Sequence, residues 1–338
     1  MLSLSILDQS PVSEGSTPET ALRQTAELAQ MAEKLGYRRF WVSEHHFSRN
    51  LAGSSPEVLL GFIAAKTAKI RLGSGGVMLP HYSAYKVAEN FRVLEGLAPG
   101  RIDAGIGRAP GGMPIASMAL QNGGRRQTDQ YPDQIHDLVT YLYDLADEHH
   151  RFPHLTASPT VSSAPEVWLL GSSGESARLA AQIGAAYTFA QFINGEGGAE
   201  AARQYKERFQ PSVLGDKPKV IVAVFVICAD TEEEAEHLAK SLDFSLLANE
   251  QGLVTDGFPS FETAQSYEYS SYEKRRINDN RNRMVIGTQR QVKQQLLALA
   301  DAYGTDEVMA VTITHNFQDK LKSYRLLAEA FADHQRFC

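Results

Sequence analysis

The chain has 338 residues, of which 43% are hydrophobic and 22% charged, and its formal net charge is −7. This composition is that of an ordinary globular protein, long enough for one barrel-sized domain or two smaller ones. The mild acidic excess, without a basic run, argues against a nucleic-acid partner, and the apolar stretches are too short to span a membrane. Residues 1–7 alternate like a strand and lack the features of a signal peptide, so we expect a cytoplasmic protein.

The two cysteines, Cys228 and Cys338, do not predict a disulfide framework. Cys228 lies within an apolar run and is expected in the core, whereas Cys338 is the last residue. We therefore interpret both as incidental thiols.

Strand patterns and helix patterns alternate along the chain. The first helix begins at Thr17-Pro18-Glu19, which combines an N-cap, a proline and an acidic first turn, and Ser55-Pro56-Glu57 begins the second in the same way. The fourth helix is expected over residues 125–145. Such alternation predicts a parallel sheet with right-handed crossovers. The predicted strands lie at residues 1–7, 40–44, 70–79, 101–106, 167–170, 186–190, 220–228 and 308–314.

Eight strand–helix units predict an α/β fold, an eight-stranded parallel β/α (TIM) barrel that forms a single domain over residues 1–338. Two insertions are expected, at about residues 147–165 and 249–288. The first is rich in Pro, Ser and Thr and predicts a surface loop, while over 249–283 the pattern dissolves and predicts no regular structure. A doubly wound open sheet is the alternative, although no GxGxxG follows the first strand.

The predicted strand ends carry a ring of polar side chains, among them Glu44, His45 and His46. The ring contains no Lys suited to a Schiff base and no carboxylate cluster suited to magnesium, which favours an organic cofactor. Neighbouring residues of a strand point to opposite faces, so the two histidines cannot easily ligate one ion, and we expect no metal site. His46 also fits a structural, hydrogen-bonded imidazole, whereas His45 is predicted to be functional.

Three glycine-rich stretches interrupt or follow predicted strands. The run 73–76 (Gly-Ser-Gly-Gly) indicates either a barrel corner or a flat ligand packed on the backbone. The run 105–112 presents Arg108, which fits either a phosphate contact or a surface side chain. The run 171–176 leads into a helix, where serine hydroxyls and free N–H groups form an anion site, although Ser172 with Glu175 also fits a capping box. Together these stretches suggest a cofactor that carries a phosphate.

The run 40–47 (Phe-Trp-Val-Ser-Glu-His-His-Phe), the strand 71–80 and the run 105–108 resemble the bacterial luciferase-like, flavin-dependent monooxygenases, also described as alkanal monooxygenase-like. The resemblance covers nearly the whole chain and is looser at the fifth strand. It implies that His45 is catalytic and that residues 249–283 form a mobile lid. It also implies a cis peptide between Gly75 and Gly76 against the flavin ring. The cofactor-binding residues that it implies are Glu44, Gly75, Gly76, Arg108, Ser172, Ser173 and Ser176.

The function implied by this resemblance is a monooxygenase that uses reduced FMN and O2 to oxygenate a small organic substrate. A separate flavin reductase would supply the reduced FMN, and His45 would give or take a proton. A homodimer is expected through helices at 56–68 and 84–97, with Leu60, Ala64, Ala65 and Ala88. The alternatives are a deazaflavin- or flavin-dependent hydride-transfer oxidoreductase on the same fold and a non-catalytic flavin-binding relative. A sugar-phosphate isomerase is disfavoured because the ring lacks a Lys.

Overall fold

The computed structural model describes residues 2–124 and 128–332. Eight parallel strands form a closed barrel, which confirms the predicted fold class. Their order is β10, β1, β2, β3, β5, β6, β7 and β8, and the pairing of β8 with β10 closes the ring. The strands are β1 (Ser3–Asp8), β2 (Arg39–Val42), β3 (Arg71–Ser74), β4 (Val77–Met78), β5 (Ile102–Gly107), β6 (Glu166–Gly171), β7 (Ala186–Ala190), β8 (Val220–Ala229), β9 (Met284–Thr288) and β10 (Glu307–Val311).

Helices surround the barrel, and among the described residues no helix is long and apolar enough to cross a membrane. The predicted fourth helix corresponds to α5, while its predicted start at 125–127 lies outside the described residues, as does Cys338. The helices are α1 (Pro18–Lys34), α2 (Pro56–Ala64), α3 (Ala84–Leu97), α4 (Pro114–Leu120), α5 (Tyr131–Leu142), α6 (Gly174–Ile183), α7 (Gly198–Arg208), α8 (Glu232–Gln251), α9 (Phe261–Ser266), α10 (Ser271–Asn280), α11 (Gln289–Tyr303) and α12 (Phe317–Ala332).

Local signals place these elements as the sequence predicts. The Thr17 side chain caps α1 by accepting from the Thr20 N–H at 3.3 Å, and Thr231 caps α8 by accepting from the Glu234 N–H at 3.1 Å. Strand β8 is buried along its whole length, as expected of a parallel strand covered on both faces. Cys228 lies in that strand and is buried, as predicted.

The first residues of the barrel strands form a charged layer inside the amino-terminal end of the barrel. Arg39 begins β2 and is 1% exposed. Its Nη1 donates to Asp103 Oδ2 and to Glu166 Oε2, both at 2.9 Å, and its Nε donates to Glu307 Oε1 at 2.8 Å. Arg71 also pairs with Asp103, at 2.5 Å. This buried layer fills the amino-terminal end of the barrel among the described residues.

The absence of regular structure predicted for residues 249–283 is wrong. Helix α8 continues to Gln251, α9 and α10 follow, and β9 pairs with the second half of β8 over Phe225–Ala229. Side-chain caps define the two short helices, because Ser260 accepts from the Thr263 N–H and Ser270 forms a capping box with Glu273. The segment is therefore a folded addition to the barrel. Residues 147–165, in contrast, contain no helix or strand.

Two of the four residues expected at a dimer interface lie elsewhere than predicted, whereas Ala64 and Ala65 are accessible to solvent. Helix α2 ends at Ala64, and Leu60 and Ala88 are both fully buried within the chain, so they cannot contact a second copy. The exposed apolar side chains of α2 and α3 are instead Val58, Phe62, Val93 and Leu97. The prediction used helical periodicity alone, which does not distinguish the face on the barrel from the outer face.

Candidate active site

The carboxyl ends of the barrel strands surround a cavity of about 600 Å³. This volume lies in the range of small-molecule sites, and in β/α barrels this end of the strands carries the chemistry. Small residues leave this space open, namely Gly107 and Ala190 at the ends of β5 and β7 and Ala223 within β8. The cavity is lined by Leu7, Trp41, Gly75, Gly76, Met78, Gly107, Arg108, Ala109, Pro110, Thr128, Asp129, Leu170, Gly171, Ser172, Ser173, Ser176, Thr188, Ala190, Phe192, Ile193, Ala223 and Met309.

One side of the cavity has the features of an anion site. Helix α6 begins after Ser173, whose side chain makes no capping hydrogen bond, so the N–H groups of the first turn are left without a side-chain cap. The hydroxyls of Ser172, Ser173 and Ser176 line the cavity and have no hydrogen-bond partner among the described residues. A helix start with free N–H groups and three free hydroxyls suits a phosphate.

Arg108 follows β5 and lies beside this helix start. Its Nη2 donates to Glu175 Oε2 at 2.6 Å, and both side chains are exposed to solvent. The contact raises the pKa of Arg108 and lowers the pKa of Glu175. The interpretation of Ser172 and Glu175 as a capping box is therefore wrong, because the N-cap is Ser173 and the Glu175 carboxylate reaches across to the arginine.

The peptide bond between Gly75 and Gly76 is cis, as the resemblance implies, and both residues line the cavity. Neither position has room for a side chain. A Cβ on Gly75 would lie 2.5 Å from Leu7 Cδ1, and a Cβ on Gly76 would lie 2.7 Å from the Gly105 oxygen. The glycines thus form a flat backbone wall between β3 and β4.

Glu44 follows β2 and is not among the described residues that line the cavity. The residue is 1% exposed, and its carboxylate has three protein partners. Oε2 accepts from the Met78 N–H at 3.1 Å, while Oε1 accepts from the Tyr82 hydroxyl at 2.9 Å and lies 2.7 Å from His46 Nε2. Glu44 therefore holds the main chain of Met78, which lines the cavity. His46 is a hydrogen-bonded imidazole, as the structural interpretation of this residue expected.

His45 lies just beyond the end of β2. Its main-chain N–H donates to the Gly53 oxygen at 2.7 Å, and its Nδ1 lies 3.0 Å from Ser43 Oγ. Burial, together with the neighbouring His46, lowers the pKa of His45 to about 4, so the imidazole is neutral at neutral pH. Its Nε2 has no hydrogen-bond partner within residues 2–124 and 128–332, and His45 is not among the described residues that line the cavity.

The structure thus brings most of the predicted cofactor-binding residues to one cavity, while Glu44 contacts Met78, one of the residues that line it. The sequence reasoning did not identify the apolar lining, which includes Leu7, Phe192, Ile193 and Met309. Leu7 lies near the end of β1, and Phe192 and Ile193 follow shortly after β7, so the apolar residues at strand ends include these three, whereas Met309 lies in the middle of β10. Across the described ranges, no three His, Cys, Asp or Glu side chains are grouped to hold a metal ion.

The fold is thus a closed β/α barrel, and one cavity at the carboxyl ends of its strands borders both the start of α6 and the Gly75–Gly76 wall. The model of the luciferase-like monooxygenase family matches residues 2–306. The chain therefore belongs to the luciferase-like monooxygenases, which are oxidoreductases.

Relatives of known sequence match along nearly their whole length. YwcH of Bacillus subtilis (strain 168) is 72% identical, over 98% of this chain and 100% of the relative. An N-acetyl-S-alkylcysteine monooxygenase of the same organism is 41% identical, over 98% of both chains. The crystal structure of apo-MsnO8 has a TM-score of 0.87 and 38% identity, over 98% of both chains.

More distant solved structures share the fold. The oxygenating constituent of 3,6-diketocamphane monooxygenase from Pseudomonas putida, in complex with FMN, has a TM-score of 0.71 and 19% identity, over 98% of both chains. An F420-dependent secondary alcohol dehydrogenase has a TM-score of 0.70 and 13% identity, over 97% of this chain and 98% of that one. At these identities the likeness concerns the fold, which hosts both flavin and deazaflavin enzymes.

Proposed function

We propose that this protein is a monooxygenase that uses reduced FMN and O2 to oxygenate a small organic substrate. The proposal rests on one observation, namely that groups suited to a phosphate and a flat backbone surface border the same cavity. Arg108 and the serines at the start of α6 lie at one side of the cavity, and the Gly75–Gly76 wall borders it as well. This pattern suits a molecule that has a phosphate at one end and a flat ring at the other.

The residues that line the cavity include partners for both the phosphate and the ring of FMN. Arg108, Ser172, Ser173 and Ser176 would hold the phosphate, because a guanidinium and free hydroxyls are its natural partners. The glycine wall would accept the ring. Reduced FMN held there would supply the two electrons for the activation of O2, so that one oxygen atom goes to the substrate and the other leaves as water.

The rest of the lining is largely apolar. Trp41, Phe192 and Met309 present apolar surface to the cavity, and apolar surroundings limit the access of water to reactive oxygen chemistry. A titratable group, His45, lies after β2, outside the described residues that line the cavity. His45 carries a neutral imidazole, and in the tautomer with its proton on Nδ1 the Nε2 atom can take up a proton and later return it. We assign it the acid–base role in the reaction.

The proposal is tested by mixing oxygen with protein that holds reduced FMN, while flavin oxidation and product are followed together. N-acetyl-S-alkylcysteines are the first substrates to test, because a relative that is 41% identical acts on them. We expect reduced FMN, supplied by any flavin reductase, to support incorporation of one oxygen atom from O2 into the product. Oxidation of a substrate that proceeds without O2, with a deazaflavin in place of FMN, would favour hydride transfer. Flavin binding without any product from a broad substrate panel would favour the non-catalytic relative.

Replacing Arg108 by alanine is expected to weaken FMN binding by about 1.5–3 kcal/mol, the range for a hydrogen bond to a charged group. The fold should survive, because the Arg108 side chain is exposed and its contact is a surface ion pair. Titration calorimetry with FMN and with riboflavin, which lacks the phosphate, measures the effect. Arg203→Ala, which removes an exposed arginine from α7, is the matched control. An unchanged FMN affinity would place the phosphate elsewhere.

The protein is expected to form a homodimer through α2 and α3. Val58, Phe62 and Leu97 are 76%, 50% and 67% exposed on these helices, and apolar side chains grouped in this way mark an interaction surface. Phe62→Asp should shift the mass in sedimentation equilibrium from dimer to monomer at micromolar concentration. Leu297→Asp, at an exposed apolar position of α11, should leave the mass unchanged. A monomeric wild-type protein at that concentration would contradict the expectation.

A further inference from the structure

We propose that Glu175 competes with the cofactor phosphate for Arg108 and thereby makes FMN an exchangeable co-substrate. The inference rests on the proposed function, and it concerns a residue that the sequence assigns to a different role. Glu175 lies in the first turn of α6, between the serines that would hold the phosphate. Its carboxylate is in direct contact with the arginine that the same phosphate needs.

The contact between Arg108 and Glu175 is short, but both side chains are exposed to solvent. Arg108 Nη2 and Glu175 Oε2 are 2.6 Å apart, and the two side chains are 39% and 57% exposed. An ion pair as exposed as this adds little to stability, because water solvates each partner when they separate. The pair can therefore exchange with another anion without disturbing the fold.

A phosphate at the anion site would meet Glu175 as a like charge. Ser176 follows Glu175 directly along the chain, so an anion held by Ser176 and Arg108 lies within a few ångströms of the carboxylate. Two like charges at such a distance repel each other appreciably even at the dielectric constant of water. Glu175 thus lowers phosphate affinity in two ways, by occupying Arg108 and by repelling the incoming charge.

The neighbouring residues give the displaced carboxylate another partner. Arg178 lies three residues after Glu175 on α6, which places the two side chains on one side of the helix, and its charge already contributes to the lowered pKa of Glu175. Arg178 and Glu175 both line a second compartment, of about 270 Å³, beside the main cavity. When the phosphate takes Arg108, Glu175 can move toward Arg178.

The consequence is a site that recognises the phosphate without retaining it tightly. A monooxygenase that receives reduced flavin from a separate reductase must also release oxidised flavin in every turnover. Moderate phosphate affinity suits this exchange, and Glu175 provides it without weakening the ring-binding wall.

The test measures flavin binding to the purified full-length protein at low ionic strength. Glu175→Gln keeps the size of the side chain and removes its charge, and we expect it to bind FMN about 10-fold more tightly, in line with the repulsion of a doubly charged phosphate in a water-like medium. Riboflavin affinity should stay unchanged. Glu200→Gln is the matched control, because Glu200 is also a first-turn acid paired with an arginine, on α7 away from the cavity.

Two further arms complete the test. Glu175→Gln in an Arg108→Ala background should give a much smaller gain, and the gain in the wild-type background should shrink at high salt, where exposed charges are screened. If wild-type protein binds FMN and Glu175→Gln binds it equally or more weakly, the inference is wrong and the proposed function stands. If neither protein binds FMN or inorganic phosphate, the proposed function fails and the inference fails with it.

Discussion

Replacing His45 by alanine is expected to lower turnover by about two to four orders of magnitude, the usual contribution of general acid–base catalysis. The fold and most of the FMN affinity should remain, because Arg108 and the serines at the start of α6 are untouched. The measurement is turnover per folded molecule with saturating reduced FMN, together with FMN titration and the melting temperature.

Because His45 is neutral in the folded protein at neutral pH, His45→Ala should also change how stability depends on pH. Its pKa of about 4 lies below the ordinary value of 6.5, so the folded protein binds fewer protons than the unfolded chain between these two values. Stability should therefore rise with pH from about 4 to 6.5 in the wild type, and His45→Ala should remove this part of the rise. Above pH 6.5 the imidazole is neutral in both states, and only the turnover should differ.

His46→Ala is the matched control, because it removes an adjacent imidazole of the same size. His46 Nε2 lies 2.7 Å from the buried carboxylate of Glu44, so its loss should act mainly through the melting temperature. If His45→Ala lowers the melting temperature and leaves turnover per folded molecule intact, His45 is structural and the proton transfer belongs to another group.

The barrel could be predicted from the sequence because its strands are apolar runs followed by helices with visible start signals. Strand β9 escaped the same reasoning, since its five residues follow a polar segment and pair only with the second half of β8. Helices α9 and α10 have six and ten residues, too few to show a clear apolar period. Their capping serines, Ser260 and Ser270, were the signals present in the sequence.

The candidate site was predicted less completely, for a physical reason. Residues that follow a strand directly, such as Arg108 and Ser172, can be assigned to the strand ends from their place in the chain alone. The pairing of Arg108 with Glu175 cannot be predicted in this way, because it joins the loop after β5 to the helix after β6. It depends on where the two side chains lie in space. In the sequence, Glu175 looks like a helix-capping residue, and only the structure distinguishes the two roles.

Replacing Arg39 by methionine is expected to destabilise the protein by about 3–5 kcal/mol, the cost of removing one partner from a buried ion pair. Arg39 is 1% exposed and donates hydrogen bonds to Asp103, Glu166 and Glu307, of which Asp103 and Glu307 are also fully buried. Methionine fills much of the volume but leaves these carboxylates without their shared cation. Urea unfolding at neutral pH measures the loss, and Arg203→Met, which breaks an exposed pair on α7, should cost no more than about 1 kcal/mol.

The loss of stability caused by Arg39→Met should become smaller at low pH. Burial alone would raise the pKa of Glu166, but the charge of Arg39 and the contact with Lys219 lower it to about 2. The Glu166 contribution to wild-type stability is therefore present above about pH 4.5 and is lost as the pH falls toward 2. In Arg39→Met, Glu166 takes up its proton at higher pH and no longer needs this cation, so the difference in stability from wild type should narrow as the pH falls from 7 to 3. A difference that stays constant over this range would show that Arg39 stabilises the barrel through packing rather than through its charge.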